Sequence, residues 1–237
     1  MPKNFAIFDI DGTLIRWQLY HAIANTLAKD GYFTPEAAKA IRESRMAWKR
    51  RESSDSFKEY EKQLISAVDE MLKTLKVEQF DQAVNQVFEE YKDQAYTYTR
   101  DLIKELKGKG YLLLAVSGSQ IEIVKKIVDY YGFDDCAATI HGKKNGRFTG
   151  MKNVIASDKL KALTVLVTKH GAVWEGSIGV GDTYSDIPIL EAVDEAIAIN
   201  PEKQLYAHAR AKGWKIVIER KNVVYELEAK DGKYLLV

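Results

Sequence analysis

The chain has 237 residues, enough for one large domain or two small ones, and its 46% hydrophobic and 29% charged residues are an ordinary globular mixture. A formal net charge of +1 leaves no global field to draw it to nucleic acid or a membrane surface, so neither is expected as a partner. No apolar run reaches the length of a membrane span and no long apolar region follows Met1, which makes the cytoplasm the expected compartment.

The first element is an apolar run, Phe5 to Phe8, short and without polar gaps, as in a strand buried on both faces of a parallel sheet. It ends in Asp9, Ile10, Asp11, Gly12 and Thr13. Alternation sends Asp9 and Asp11 to the same side. Two carboxylates so close repel unless a cation or a shared proton stands between them. Gly12 permits a turn just past the strand end, where open α/β sheets bind ligands. The chemistry on offer is a carboxylate nucleophile, a second carboxylate to move a proton, and oxygen ligands for a hard metal. The bland alternative is a strand ending in a solvated acidic turn.

From about residue 16 to 95 the texture changes to helix formers, with one glycine, Gly31, and one proline, Pro35. Thr34 predicts an N-cap with Pro35 in the first helical position. Ser56 predicts another cap, with Glu59 as capping-box partner. Val77, Phe80, Val84, Val87, Phe88 and Tyr91 recur at helical spacing. The segment reads as a helical insertion folding as its own unit. Residues 1–15 and 97–237 are then expected to form an α/β core and 16–96 a helical cap.

The α/β pattern resumes with a helix from Asp101 to Lys109, closed by Gly110. A second apolar strand, Tyr111 to Val116, ends in Ser117, Gly118, Ser119 and Gln120 and runs into a helix from Ile121 to Tyr131. A hydroxyl residue between strand and helix is a ready anion site, although Ser117 taken alone reads better as a simple helix cap. Cys136, the one cysteine, excludes an internal disulfide and reads as a small core residue. Residues 137–150 suggest a strand and hairpin turning at Asn145 and Gly146.

Asp158 then starts a helix carrying Lys159 and Lys161. A third buried strand, Trp174 to Val180, ends in a second acidic pair, Asp182 and Asp186. After it come a helix at 187–193, a strand at 196–199, a helix opened by Asn200 and Pro201, a strand at 214–218 and a hairpin tail turning at Asp231 and Gly232. Strands alternating with helices predict an α/β fold, a Rossmann-like parallel sheet with helices on both faces. Asp9 with Asp11, Ser117, and Asp182 with Asp186 then share one sheet edge.

These residues, Asp9 to Leu14, Ser117 to Ser119, Lys159, and Gly181 to Asp186, resemble in order the four motifs of the haloacid dehalogenase-like hydrolase superfamily. The insertion matches the helical form of the family's cap. The branch most resembled is phosphoserine-phosphatase-like, through the tail pattern of Asn200 to Leu205 followed by Lys212 to Trp214. The resemblance implies a phosphatase that uses Mg²⁺ and an aspartyl-phosphate on a small phosphorylated metabolite. Asp9 would be the nucleophile and Asp11 the acid and base. Mg²⁺ would be held by Asp9, the Asp11 carbonyl and Asp182. Ser117, the Gly118 N–H and Lys159 would hold phosphate, with Asp186 and Thr13 supporting these groups.

Lys161, two positions on, points elsewhere on a helix and is the alternative to Lys159, with Lys152 third. Trp17, Tyr20 and His21 are candidate substrate-lining residues. Where phosphoserine phosphatases carry a cap glutamate for the substrate amine, Ile15 to Tyr20 has no acid, which argues against phosphoserine. His21, His141, His170 and His208 lack metal-ligand spacing. The basic run Arg42, Arg45 and Lys49 to Arg51 reads as a solvated face or as a contact for a second anion. A signalling receiver has no use for Asp11 or so large an insertion, and a carbon–halogen hydrolase lacks the second aspartate. Intact motifs argue against a relic binding protein. A phosphoryl transferase or mutase on the same scaffold stays open. The oligomeric state is not encoded in any feature of the sequence.

Overall fold

The structure, a computed structural model, describes residues 3–53, 55–231 and 233–237. The chain divides into two compact units. One comprises residues 1–18, 90–139 and 154–237, and the other residues 19–89 and 140–153.

The first unit is built on a twisted sheet. Its middle strand is β1 (Asn4–Phe8), flanked by β2 (Leu112–Gln120) and β5 (Val173–Gly181), both parallel to it. Among the described residues the order is β4-β3-β2-β1-β5-β6-β7-β8-β9, where β3 is Asp135–Lys144, β4 Arg147–Asn153, β6 Glu195–Ile199, β7 Lys215–Arg220, β8 Val223–Lys230 and β9 Lys233–Leu236. Strands β3, β2, β1, β5, β6 and β7 run parallel, and β8 and β9 are antiparallel additions at the edge. The parallel sheet is the one expected, and its antiparallel edge is the hairpin expected of the tail. Lys230 pairs with Lys233; of the expected turn pair, Gly232 lies outside the described residues.

Phe5 to Phe8 are fully buried, which explains the unbroken apolar run. Phe5, Ile7, Leu114 and Val116 pack with Leu163 and Leu166 of α7 (Lys159–His170), Leu190 of α8 (Ile187–Ala192) and Leu205 of α9 (Lys203–Lys212). Each such side chain contributes about 1.5–3 kcal/mol. Helices α5 (Thr97–Gly108) and α6 (Ile121–Tyr131) also contact β2, and the Phe8 ring meets Phe133, which follows α6, edge-on at 5.6 Å.

The second unit holds α1 (Leu19–Lys29), α2 (Pro35–Lys49), α3 (Ser56–Leu72) and most of α4 (Val77–Tyr91). Thr34 caps α2, accepting from Ala37 N–H at 3.2 Å, with Pro35 as its first residue. Ser56 does not cap α3: Asp55 occupies that position, while the buried Ser56 hydroxyl accepts from Ser53 N–H at 2.9 Å. The sequence reading placed the hairpin at 137–150 in the α/β core. Its outer part, residues 140–144 with β4 (Arg147–Asn153), belongs instead to the helical unit. Lys152 pairs with Asp69 at 2.5 Å, the Phe148 ring meets Phe80 at 5.3 Å, Val77 N–H donates to Gly146 at 3.0 Å, and Arg147 donates to the Thr74 carbonyl. The first segment of that unit, 19–89, also begins and ends inside the expected 16–96. Among the described residues no helix is long and apolar enough to cross a membrane.

Candidate active site

The site is assembled at the C-terminal ends of β1, β2 and β5. Past β1, Asp9 N–H still bonds Val180 at 3.0 Å, so Asp9 is fixed to the sheet. The chain then turns. Leu14 and Ile15 N–H both donate to the Ile10 carbonyl, and Gly12 N–H donates to Ile15. Gly12 takes φ +82, and a Cβ there would stand 2.1 Å from Asp182 Oδ2, so only glycine permits the approach.

Asp9 and Asp11 are 4% and 8% exposed. At the end of β2 the Ser117 hydroxyl donates to Asp11 Oδ2 at 2.8 Å and accepts from Ser119 N–H at 3.0 Å. Thr139 donates to the Gly118 carbonyl at 2.8 Å, holding that loop from β3. Lys159, first residue of α7 and buried, places Nζ 2.6 Å from Asp9 Oδ1 and 2.6 Å from Asp186 Oδ1. Asp158 caps this helix through Lys161 N–H. Lys161 itself is exposed, and Lys152 is paired in the other unit. The Thr13 hydroxyl donates to Asp182 Oδ1 at 3.2 Å. Asp186, fully buried, accepts on its second oxygen from the N–H groups of Asp182 at 3.1 Å and Thr183 at 2.9 Å.

Burial pushes the Asp9 carboxyl up to about 8, against the pull of Lys159 and with repulsion from Asp186 and Asp11 added. Burial, with Asp9 and Asp186 nearby, likewise holds Asp182 well above the usual carboxylate range. Burial opposes the charge on Lys159, but Asp186 and Asp9 outweigh it, so the ammonium is held above its ordinary range. Oxygens of Asp9, Asp182 and Asp186 lie within 4.8 Å of one another. Three clustered carboxylates against one lysine leave an excess of negative charge. An all-oxygen donor set with that excess fits a hard divalent cation such as Mg²⁺. Asp186 spends its oxygens on Lys159 and on backbone N–H groups, which leaves Asp9 and Asp182 as the carboxylates suited to the ion.

The three candidate lining residues are divided between the two units. Trp17 belongs to the first unit and is 38% exposed. Tyr20 and His21 belong to the second. His21 is 4% exposed and packs among Tyr20, Phe57 and Tyr60, at 5.3 Å from the last. Burial, with Arg45 nearby, depresses it to about 4, so it is a neutral ring in an aromatic cluster.

The sequence gives Asn200, at the end of β6, no role in the site. It was expected to open a helix, but α9 starts at Lys203. Asn200 instead has φ +43 and accepts from Glu219 N–H at 2.9 Å. Its place after a buried strand is the signal that marks it.

A family model for the haloacid dehalogenase-like hydrolases matches residues 6–191. Among curated proteins, the chain is 24% identical over 232 residues to a histidinol-phosphatase of Neisseria meningitidis serogroup C, covering 91% of this chain and 98% of that one. It is 27% identical over 127 residues to a phosphoserine phosphatase of Mycobacterium tuberculosis, covering 52% of this chain and 41% of the relative. Among solved structures, a phospho-aspartyl intermediate analogue of phosphoserine phosphatase matches with TM-score 0.65 at 23% identity, covering 94% of this chain and 96% of that one. A Bordetella pertussis protein of unknown function reaches 0.74 at 21% identity, covering 92% and 99%. The matched span, the fold and the order of the motifs agree: the chain belongs to the haloacid dehalogenase-like hydrolase family.

Proposed function

We propose that the chain is a Mg²⁺-dependent phosphomonoester hydrolase acting on a small phosphorylated metabolite through an aspartyl-phosphate at Asp9. The observation that carries the reading is the Lys159 ammonium bridging Asp9 and Asp186 beside the Asp182 carboxylate. An Asp9 oxygen forms a bond to phosphorus as the ester P–O bond breaks. The Asp11 carboxyl gives its proton to the departing oxygen, then takes one from the water that releases inorganic phosphate and restores Asp9. Ser117 donates to Asp11 Oδ2 and keeps that carboxyl aimed. Lys159 and the N–H groups after Ser117 take the charge of the transferring phosphoryl. Mg²⁺ held by Asp9, Asp182 and the Asp11 carbonyl would supply the positive charge that keeps Asp9 ionised as a dianion approaches. The second unit serves in this reading as the cap that selects among leaving groups.

The test is hydrolysis of a panel of phosphomonoesters with Mg²⁺ and with EDTA. Activity is expected only with the metal, lost in Asp9→Asn, and slowed about 10²–10⁴-fold in Asp11→Asn, least for aryl esters whose leaving group needs no proton. Full activity in EDTA would overturn the reading. Transfer of the phosphoryl to an added alcohol faster than to water would turn it toward a transferase.

A further inference from the structure

The segment after the first motif carries a cation that the hydrolytic chemistry does not use. Residues 13–16 are fastened along 94–99. Arg16 N–H donates to the Gln94 carbonyl at 2.8 Å, Tyr96 N–H to Leu14 at 2.9 Å, and the Thr99 hydroxyl to Thr13 at 2.7 Å. The backbone position of Arg16 is therefore built, although its side chain is exposed. Its guanidinium carbon stands 5.4 Å from the centre of the Tyr96 ring, a cation–π distance. Among the described residues no carboxylate lies within ion-pair distance of Arg16, whereas Arg100 of the same unit is paired with Asp101 at 2.9 Å.

The surroundings of Tyr96 are donors too. Burial raises its phenol, and Asp182 is the next contributor, so the ring stands within the field of that carboxylate and stays a neutral hydroxyl. Glu219, the other acid acting on that ring, spends both oxygens on the N–H groups of Thr97 and Tyr98, each at 3.0 Å. Glu219 N–H in turn occupies Asn200 Oδ1, which fixes the orientation of that amide and leaves its buried Nδ2 without an acceptor. An orphaned buried donor costs about 1–3 kcal/mol. Asn200 also sits in the left-handed region at φ +43, and strain of this kind gathers at ligand-facing positions.

We propose that Arg16, braced on the Tyr96 ring, binds a second anionic group carried on the leaving-group side of the phosphomonoester substrate. The transferred phosphoryl has its own partners in Lys159 and the Ser117 loop, so Arg16 is left for a different charge. An arginine fork on a fixed backbone suits a carboxylate or phosphate oxygen pair. The inference rests on the phosphohydrolase reading for the site beside it, and the two can be separated.

Calorimetric titration in Mg²⁺ compares phosphonoacetate and 3-phosphonopropionate with ethyl- and propylphosphonate, which lack the carboxylate and are not hydrolysed. The carboxylated probes are expected to bind at least tenfold more tightly. Arg16→Gln should bring each pair within threefold while leaving the alkylphosphonates unchanged, and Arg16→Lys should keep part of the preference. Circular dichroism of the variants checks that they are folded. Equal or undetectable binding within a pair, or an equal loss for both members in Arg16→Gln, overturns the inference. Hydrolysis of 4-nitrophenyl phosphate is followed in parallel. Hydrolysis without the binding preference removes Arg16 and spares the enzyme reading. The preference without hydrolysis does the reverse.

Discussion

At the scale of single residues, two lysines two positions apart have opposite fates. Lys159 is buried between Asp9 and Asp186, and Lys161 faces solvent. Lys159→Ala is expected to lower kcat about 10²–10³-fold, the usual loss for one charge-stabilising donor, and Lys161→Ala to stay within twofold. Steady-state kinetics on both variants checks this, and the reverse order would reassign the lysine. The sequence alone ranked Lys159 first but could not exclude Lys161, because helical direction depends on where α7 begins, and that is set by the Asp158 cap. His21 shows the opposite limit. Its spacing after the first motif suggested a lining residue, yet burial among aromatic rings makes it a core group. With a folded value of about 4 against an ordinary 6.5, the unfolded chain binds the proton more tightly. The stability is full above about 6.5 and is lost as pH falls toward 4, by an amount on the order of 2–3 kcal/mol. Chemical denaturation of His21→Phe and the parent chain at pH 7 and pH 4.5 should show the variant gaining at the acid end. An equal difference at both values would mean that His21 is charged when folded.

At the scale of elements, the strands and their ends were legible because each is a local signal, an apolar run closed by glycine or acid. What was not legible depends on partners distant in sequence. Helix α5 starts at Thr97 rather than near Asp101, because its first N–H groups are capped by Glu219, 122 residues away from Thr97. No local pattern announces such a cap. Glu219→Ala should leave two N–H groups without their acceptor and cost about 1–3 kcal/mol, read as a lower Tm, with Glu219→Gln retaining part of it. An unchanged Tm in Glu219→Ala would mean that water replaces the cap without loss. The hairpin at β3 and β4 was recognised from Asn145 and Gly146, both with positive φ, but not its membership. That is decided by Lys152 with Asp69 and by Phe148 with Phe80.

At the scale of the whole molecule, the clustered carboxylates couple stability to the metal. Without a cation, Asp9 takes up a proton more readily when folded, at about 8, than its ordinary 3.8, so the folded state binds more protons across that window. Stability from this site is therefore present at low pH and is lost as pH rises through about 8. A bound cation should relieve the same repulsion, so the rise in Tm caused by Mg²⁺ is expected to be larger at pH 8 than at pH 5. Thermal melts at the two pH values test it, and a gain larger at pH 5 would contradict the electrostatic account. The central position of β1 has a further consequence during synthesis. Thr13 and its partner Asp182 are 169 residues apart, and β1 is enclosed only when β5 arrives. At about 5–20 residues per second, a ribosome needs roughly 8–34 s to make the intervening chain. For that interval the nascent Phe5 to Phe8 segment has no β5 to pair with. Even after β2 has paired on one side, the growing polypeptide therefore carries a strand with an open, aggregation-prone edge that chaperones have time to find.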